Sequence, residues 1–163
     1  MGKANYNVWT DATWGTEKGD RLSFGGMAHL RYGGIVNWQS RRQKSTALSS
    51  MHAEIMAACE GGKEIAWMEK LRLDIDPTIE AYIPTLYIDN RAAVDWSKDA
   101  KFHDKAKHIE IQYFYLRNDM VRRNRLKVQH TPGTEQMADI LTKQLPIDLF
   151  QKHRKAMGLS SDC

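Results

Sequence analysis

Four of the 20 acidic residues in this chain stand among apolar neighbours: Asp11, Glu54, Asp89 and Asp139. Asp11 and Asp89 each follow a short run of apolar or alternating residues, so both are predicted to end β-strands. Glu54 and Asp139 lie among the small and aliphatic residues of predicted helices. A carboxylate in such surroundings needs a partner, and for any one acid alone a helix cap or a nearby Lys or Arg would suffice.

Taken together, the four carboxylates favour a shared site for divalent cations. Two acids at the carboxyl ends of strands and two on helices that pack beside them would converge on one point. No charged side chain is expected to neutralise such a cluster, whereas Mg²⁺ prefers carboxylate oxygens and retains water ligands. Carboxylates around two Mg²⁺ ions suit in-line attack on a phosphodiester, so the acids predict metal-dependent phosphodiester hydrolysis.

The residue periodicity predicts the elements that must position these acids. Strands are predicted at residues 5–11, 23–30, 34–40, 84–89 and 125–130, with a hairpin joining the second and third. Helices are predicted at residues 50–73, 91–97, 107–123 and 147–157, and a helix N-cap is predicted to open residues 134–143. This order indicates an α/β fold with a mixed sheet. Gly61 and Gly62 in the first helix indicate either a close approach to the sheet or a kink.

Length and composition exclude several classes of protein. The chain has 163 residues and a formal net charge of +4, which permits a polyanionic partner without requiring one. We expect one domain over residues 1–163, with a core at about 5–145 and a C-terminal helix and tail at 146–163. No apolar run suits a membrane span or a signal peptide, and the two cysteines favour a reducing, intracellular compartment.

The four acids occur in distinctive phrases, which are VWTDATWG, STALSSMHAE, LYIDNRAA and EQMADILTKQLP. With NWQSRRQKSTALSSMHAE and FHDKAKHIEIQYFYLR, they resemble the ribonuclease H domain at the end of Ty1/copia-type retrotransposon Pol polyproteins, over about residues 6–159. The resemblance implies a ribonuclease H-like fold, with a five-stranded mixed sheet whose first three strands are antiparallel and helices flanking it. It also implies a site of four carboxylates and two Mg²⁺ ions, with Mn²⁺ as a substitute.

The resemblance implies a role for each catalytic candidate. Asp11 would bridge both metals, Glu54 and Asp89 would hold mainly the metal on the leaving-group side, and Asp139 would hold the metal that activates water. The reaction would be hydrolysis of the RNA strand of RNA/DNA hybrids during reverse transcription, leaving 3′-hydroxyl and 5′-phosphate ends. His130 would assist proton transfer or product release, although an ordinary histidine at a strand end is the alternative.

Several residues are predicted to contact nucleic acid. Ser49 and Ser50 either cap the first helix or also meet the 2′-hydroxyl groups of RNA. Asn90 and Arg91 are expected near the hybrid backbone, with phosphate contact favoured for the arginine, and Trp14 is the best candidate to stack near substrate. Basic residues between positions 98 and 127 form either a solvated helix face or a surface that follows phosphates, and they include Lys105, Lys107, Arg117, Arg122 and Arg123.

Two other functions remain open from the sequence. An integrase or transposase on the same fold typically has its glutamate last, whereas here the glutamate is second. A degenerate domain that binds nucleic acid, or braces a reverse transcriptase, would be expected to lack a carboxylate. The resemblance implies a reverse transcriptase domain upstream in the same polyprotein, a monomeric isolated domain with no membrane partner, and residence in a cytoplasmic virus-like particle or in the nucleus.

Overall fold

One five-stranded sheet organises the protein in the computed structural model, which describes residues 6–15, 22–78, 82–98 and 114–159. The strands are β1 (Tyr6–Thr13), β2 (Phe24–Arg31), β3 (Gly34–Arg42), β4 (Thr85–Ile88) and β5 (Lys127–His130). The α-helices are α1 (Ser50–Ile75), α2 (Arg91–Lys98) and α3 (Ile147–Ala156). Residues Leu116–Val121 form a π-helical segment, and Gly133–Glu135 and Met137–Leu141 form short 3₁₀ helices.

The sheet has the predicted mixed topology, with the strand order β3-β2-β1-β4-β5. β1, β2 and β3 pair antiparallel, whereas β4 lies parallel to both β1 and β5. Tyr32 and Gly33 have φ angles of 54° and 82°, the left-handed conformation that a tight two-residue hairpin turn requires. The predicted α/β fold class, five-stranded mixed sheet and antiparallel first three strands are therefore confirmed.

The main hydrophobic core lies between α1 and one face of the sheet. It contains Val8, Leu86 and Val128 from the sheet together with Ile55 and Ile65 from α1, all of them buried. A smaller cluster, which includes Leu30, Met137 and Met157, is formed by residues of β2, the second 3₁₀ helix and the end of α3. Burial of these apolar side chains supplies the main favourable term for the fold.

Helix α1 begins at the predicted cap and approaches the sheet closely. The Ser49 hydroxyl accepts a hydrogen bond from the His52 backbone N–H at 3.1 Å, which satisfies one of the free amides of the first turn. A Cβ atom on Gly61 would lie 2.8 Å from Cγ2 of Thr10 in β1, so only glycine fits this contact. Of the two alternatives for the paired glycines, the structure therefore shows the close approach, in one continuous helix.

Three local expectations differ from the structure. β1 continues to Thr13, because Ala12 and Thr13 still pair with β2, so Asp11 lies inside the strand and not at its end. The helix expected at residues 134–143 is replaced by the two 3₁₀ helices, and the Gln136 side chain caps the second by accepting from the Ala138 N–H. Of the helix expected at 107–123, residues 107–113 lie outside the described residues, and Leu116–Val121 is π-helical.

Among the described helices, none is long and apolar enough to cross a membrane.

Candidate active site

Three aspartates from distant parts of the chain meet at one edge of the sheet. Asp11 lies in β1, Asp89 directly follows the neighbouring parallel strand β4, and Asp139 lies in the second 3₁₀ helix. One carboxylate oxygen from each lies within 4.8 Å of the other two. Asp11 and Asp139 are buried and Asp89 is half-buried, so the cluster is shielded from much of the solvent.

Two polar side chains fasten the Asp139 segment to β1. Gln136 is fully buried, and its Nε2 donates to the backbone oxygen of Thr10 at 2.9 Å. The hydroxyl of Thr142 donates to Oδ2 of Asp11 and so orients that carboxylate. Neither residue was expected at the site, although both lie in the phrase that contains Asp139. The contact between Gln136 and Thr10 spans 126 positions of the chain, and the contact between Thr142 and Asp11 spans 131. No local sequence pattern indicates contacts over such separations.

Glu54 stands beside the three aspartates without belonging to their tight cluster. Its Oε1 accepts a hydrogen bond from the Ala12 backbone N–H at 3.1 Å, and its Oε2 is buried with no hydrogen-bond partner among the described residues. Burial raises the pKa of the Glu54 carboxyl well above its usual value, and the charges of Asp11 and Asp89 raise it further. The structure therefore leaves one buried carboxylate oxygen unsatisfied next to the cluster.

A lysine neutralises part of this negative charge. The Nζ atom of Lys143 lies 2.9 Å from Oδ1 of Asp139 and 3.7 Å from Oδ2 of Asp11. The expectation that no charged side chain would serve the cluster is therefore wrong, because Lys143 follows Asp139 by four residues and reaches back across one helical turn. Burial nevertheless raises the pKa of Asp139 to about 6, and burial and Asp11 raise that of Asp89 as well.

The donor set fits a hard divalent cation. All the converging groups are carboxylate oxygens, the ligands that Mg²⁺ and Mn²⁺ prefer, and soft sulfur ligands are not among them. A cation there would supply the positive charge that one lysine alone does not. It would also give the unsatisfied Oε2 of Glu54 a partner. Asp11, Asp89, Asp139 and Glu54 are accordingly the residues that could hold such a metal.

Other predicted site residues have structural partners around the cluster. His130 donates from Nε2 to the backbone oxygen of Asp89 at 3.1 Å, which ties the end of β5 to the strand end that presents the aspartate. The side-chain oxygen of Asn90 accepts from the Ala93 N–H at 3.1 Å and caps α2. Ser50 and Arg91 are exposed at the first positions of α1 and α2.

The aromatic and basic candidates divide into exposed and buried groups. Trp14 is 53% exposed, and its indole N–H donates to the Ala47 backbone oxygen at 2.9 Å. Arg122 and Arg123 are exposed, whereas Arg117 is buried, with its guanidinium 4.6 Å from the ring centre of Phe114. This corrects the expectation that Arg117 belongs to a phosphate-contacting surface. Two further candidates lie outside the described residues, namely Lys105 and Lys107.

The chain is similar to segments of plant transposon polyproteins. It is 34% identical over 154 residues to the retrovirus-related Pol polyprotein from transposon TNT 1-94 of Nicotiana tabacum, covering 94% of this chain and 11% of that protein. It is 30% identical over 154 residues to that from transposon RE1 of Arabidopsis thaliana, covering 94% and 10%. The chain thus spans about a tenth of the length of the curated relatives that it matches. No family model matches it.

The fold is similar to that of a solved ribonuclease H domain. The N-terminal RNase H domain of a Mycobacterium tuberculosis protein superimposes with a TM-score of 0.54, covering 94% of this chain and 99% of that chain. At 12% identity, this likeness shows the fold. The relatives and the fold agree with the resemblance that the sequence phrases carry.

Proposed function

We propose that this protein is a metal-dependent endonuclease, because the chain has the ribonuclease H fold and is homologous to one segment of the Pol polyproteins of plant retrotransposons. Its substrate would be the RNA strand of an RNA/DNA hybrid formed during reverse transcription. The observation that supports the proposal best is the convergence of Asp11, Asp89 and Asp139 within 4.8 Å at one edge of the sheet.

The residues of the site have distinct tasks in this reaction. Asp11, Glu54, Asp89 and Asp139 would hold the divalent cations, which when bound supply an activated water and stabilise the departing 3′ oxygen. Thr142 holds Asp11 in one orientation, and Oε1 of Glu54 is held by the Ala12 amide. Such fixed positions lower the cost of assembling the reacting groups, because the carboxylates need not reorganise when substrate binds.

Recognition of RNA is proposed for the helix starts beside the carboxylates. Ser50 and Arg91 are exposed at the first turns of α1 and α2, where hydroxyl and guanidinium groups can meet a ribose or a phosphate. The 2′-hydroxyl is the group that distinguishes RNA from DNA, so a contact there would direct cleavage to the RNA strand. The exposed Trp14 remains the candidate for stacking, and a reverse transcriptase domain of the same polyprotein is the proposed partner.

The proposal is tested by cleavage of a hybrid that carries a fluorescent label on its RNA strand, with Mg²⁺ or Mn²⁺ and with a chelator. Single-stranded RNA, double-stranded RNA and double-stranded DNA serve as controls. We expect metal-dependent cutting of the hybrid RNA alone, with 3′-hydroxyl and 5′-phosphate products. Cutting of duplex DNA would favour the integrase-like alternative, and binding without cutting under either metal would favour a non-catalytic domain.

A further inference from the structure

Gly26 of β2 belongs to a row of residues that crosses three strands of the sheet beside the carboxylates. In the antiparallel ladders, Gly26 pairs with Asp11 of β1 on one side and with Ser40 of β3 on the other. Residues paired directly across antiparallel strands point their side chains to the same face of a sheet. Of these three positions, only Gly26 presents no side chain to that face.

The end of the second 3₁₀ helix lies across this row and is attached on both sides of Gly26. The Thr142 hydroxyl donates to Oδ2 of Asp11. The Ser40 hydroxyl donates to the backbone oxygen of Leu141 at 2.5 Å. Two adjacent residues are thereby bound to β1 and to β3, and the strand between these attachments is the one that carries the glycine.

The space between the two attachments has no room for a side chain. A Cβ atom on Gly26 would lie 2.7 Å from Cγ2 of Thr142 and 3.0 Å from Cβ of Leu141. It would also lie 3.1 Å from the backbone oxygen of Ala138, which can retreat only if the backbone moves. The Thr142 methyl group shares its Cβ with the hydroxyl that reaches Asp11, so turning the methyl away also turns the hydroxyl away. A side chain at position 26 would therefore lift the 3₁₀ helix from the sheet or break its bond to Asp11.

Movement of this segment would carry Asp139 with it. The backbone N–H groups of Thr142 and Lys143 donate to the backbone oxygen of Asp139 at 3.1 and 3.0 Å, which joins these residues in one turn. A carboxylate oxygen of Asp139 lies within 4.8 Å of one from Asp11 and one from Asp89. Mg²⁺ in particular demands nearly ideal ligand positions, so such a cation would be sensitive to the displacement.

We propose that Gly26 is a positioning residue for the carboxylate site, where its missing side chain lets Thr142 and Asp139 lie beside Asp11. The inference rests on the proposed function, since it gives Gly26 a part in placing the ligands of the proposed metal. Gly26 acts through Thr142 and Asp139 and needs no contact with metal or substrate. A purely structural role would instead change the stability of the protein and leave its metal affinity as it is.

A matched pair of glycine substitutions on β2 tests the assignment. Gly26→Ala places a methyl group against the 3₁₀ helix, whereas Gly25→Ala places one where the nearest atoms are Nε2 of Gln43 at 3.6 Å and Cβ of Ala57 at 3.7 Å. Mn²⁺ affinity is measured by titration calorimetry with and without hybrid, and stability is measured by urea denaturation. We expect about tenfold weaker Mn²⁺ binding for Gly26→Ala, the size typical of losing a group that orients a metal ligand, and wild-type affinity for Gly25→Ala.

Two further variants test the route through the 3₁₀ helix. Thr142→Ser removes Cγ2, the atom nearest to position 26, and keeps the hydroxyl that reaches Asp11. Added to Gly26→Ala, it should restore part of the lost Mn²⁺ affinity, with Thr142→Ser alone as the reference. Ser40→Ala removes the exposed attachment without adding volume, so it should fold and weaken Mn²⁺ binding by less than about tenfold.

The outcomes separate this inference from the proposed function. Wild-type Mn²⁺ affinity in folded Gly26→Ala protein, or an equal loss in Gly25→Ala, would overturn the positioning role while hybrid cleavage stands. If Gly26→Ala does not fold, unchanged affinity in Ser40→Ala would overturn it instead. Wild type that binds Mn²⁺ but cuts no hybrid would overturn the proposed function alone, and wild type that binds no Mn²⁺ with or without hybrid would overturn both.

Discussion

The Nζ atom of Lys143 lies 2.9 Å from Oδ1 of Asp139, and the same ammonium lies 3.7 Å from Oδ2 of Asp11. This lysine is thus an internal counter-ion at the place where the donor set fits a divalent cation. A metal that binds the aspartates takes over the role of neutralising them, so lysine and metal share the same carboxylates.

Replacing Lys143 by methionine should destabilise the metal-free protein and enlarge its response to metal. The variant loses the cation that offsets Asp11 and Asp139, at a cost of about 1 kcal/mol, since the lysine side chain is 40% exposed and screened by solvent. Mg²⁺ should then raise the thermal midpoint by more than in wild type, because no lysine competes. Thermal unfolding in chelator and at several Mg²⁺ concentrations measures both effects.

A lysine with a similar partner elsewhere provides the control for that substitution. Lys152 lies 2.5 Å from Glu135 in an exposed pair that includes none of the clustered aspartates. Lys152→Met should change the midpoint by the small amount typical of surface pairs and leave the response to Mg²⁺ as in wild type. An unchanged metal response in the Lys143 variant would show that its ammonium does not compete for the carboxylates.

Asp89→Asn should abolish cleavage while hybrid binding stays measurable. The substitution keeps the size of the side chain and removes one charged ligand oxygen from the three-aspartate cluster. Loss of outer-shell partners of metal ligands typically costs 10- to 100-fold, so loss of a ligand should reduce the cleavage rate by at least about 100-fold. Asp95→Asn, an exposed position on α2, is the matched control, and wild-type cleavage by the Asp89 variant would remove that residue from the site.

The strands and helices could largely be predicted from the sequence, because local residue patterns indicate them. Alternating residues marked the strands, and the apolar runs before Asp11 and Asp89 predicted that both acids lie at strands. The parts that could not be predicted depend on contacts between distant residues. Thr142 reaches Asp11 across 131 positions, and nothing in the neighbourhood of either residue indicates that pairing.

Charge patterns were the least reliable guide to the surface. Arg117 belongs to a run of basic residues, yet it is buried, 5.3 Å from the ring centre of Trp96. A composition count cannot separate such a cation from an exposed one, because the difference lies in which helix face meets the core. Lys143 shows the opposite case, since the spacing of four residues from Asp139 was a visible signal for an ion pair.

Gly61→Ala should destabilise the protein, whereas Gly62→Ala should be near neutral. Alanine favours a helix over glycine by about 1 kcal/mol at both positions. At Gly61 a Cβ atom would lie 2.8 Å from Thr10 in β1, and moving the helix from the sheet should cost about 1 to 3 kcal/mol. At Gly62 the nearest atom is Cδ1 of Leu116 at 3.2 Å, the end of a flexible side chain. Urea denaturation of both variants measures the difference, and equal stabilities would contradict a close contact at Gly61.

Protonation of His29 should destabilise the protein as the pH falls. Burial lowers the pKa of this fully buried histidine from 6.5 to about 4, and its Nδ1 lies 2.7 Å from the Tyr6 hydroxyl. The unfolded chain takes up the proton near pH 6.5 and the folded chain only near pH 4. The stability that the neutral ring contributes is therefore complete above pH 6.5 and is lost towards pH 4, by up to about 3 kcal/mol.

The His29→Gln variant isolates this effect from the other titrating groups. Asp139 and Glu54, whose pKa values are raised, favour the folded state as the pH falls, and they are present in both proteins. The difference in free energy of unfolding between wild type and variant should therefore shrink from pH 7 to pH 4. A difference that stays constant over this range would show that His29 is protonated as readily in the folded protein as in the unfolded chain.

Gln136→Ala should reduce cleavage more than it reduces the population of folded protein. Gln136 is fully buried and holds the Asp139 segment to the backbone of Thr10, so its replacement removes a buried hydrogen bond, at a cost of about 1 to 3 kcal/mol. The protein should still fold, yet Asp139 would no longer be held beside Asp11, and its metal affinity should fall. Titration of the thermal midpoint with Mn²⁺, alongside the cleavage rate at saturating metal, distinguishes the two effects. A variant that loses stability but keeps wild-type metal affinity would show that Gln136 supports only the fold.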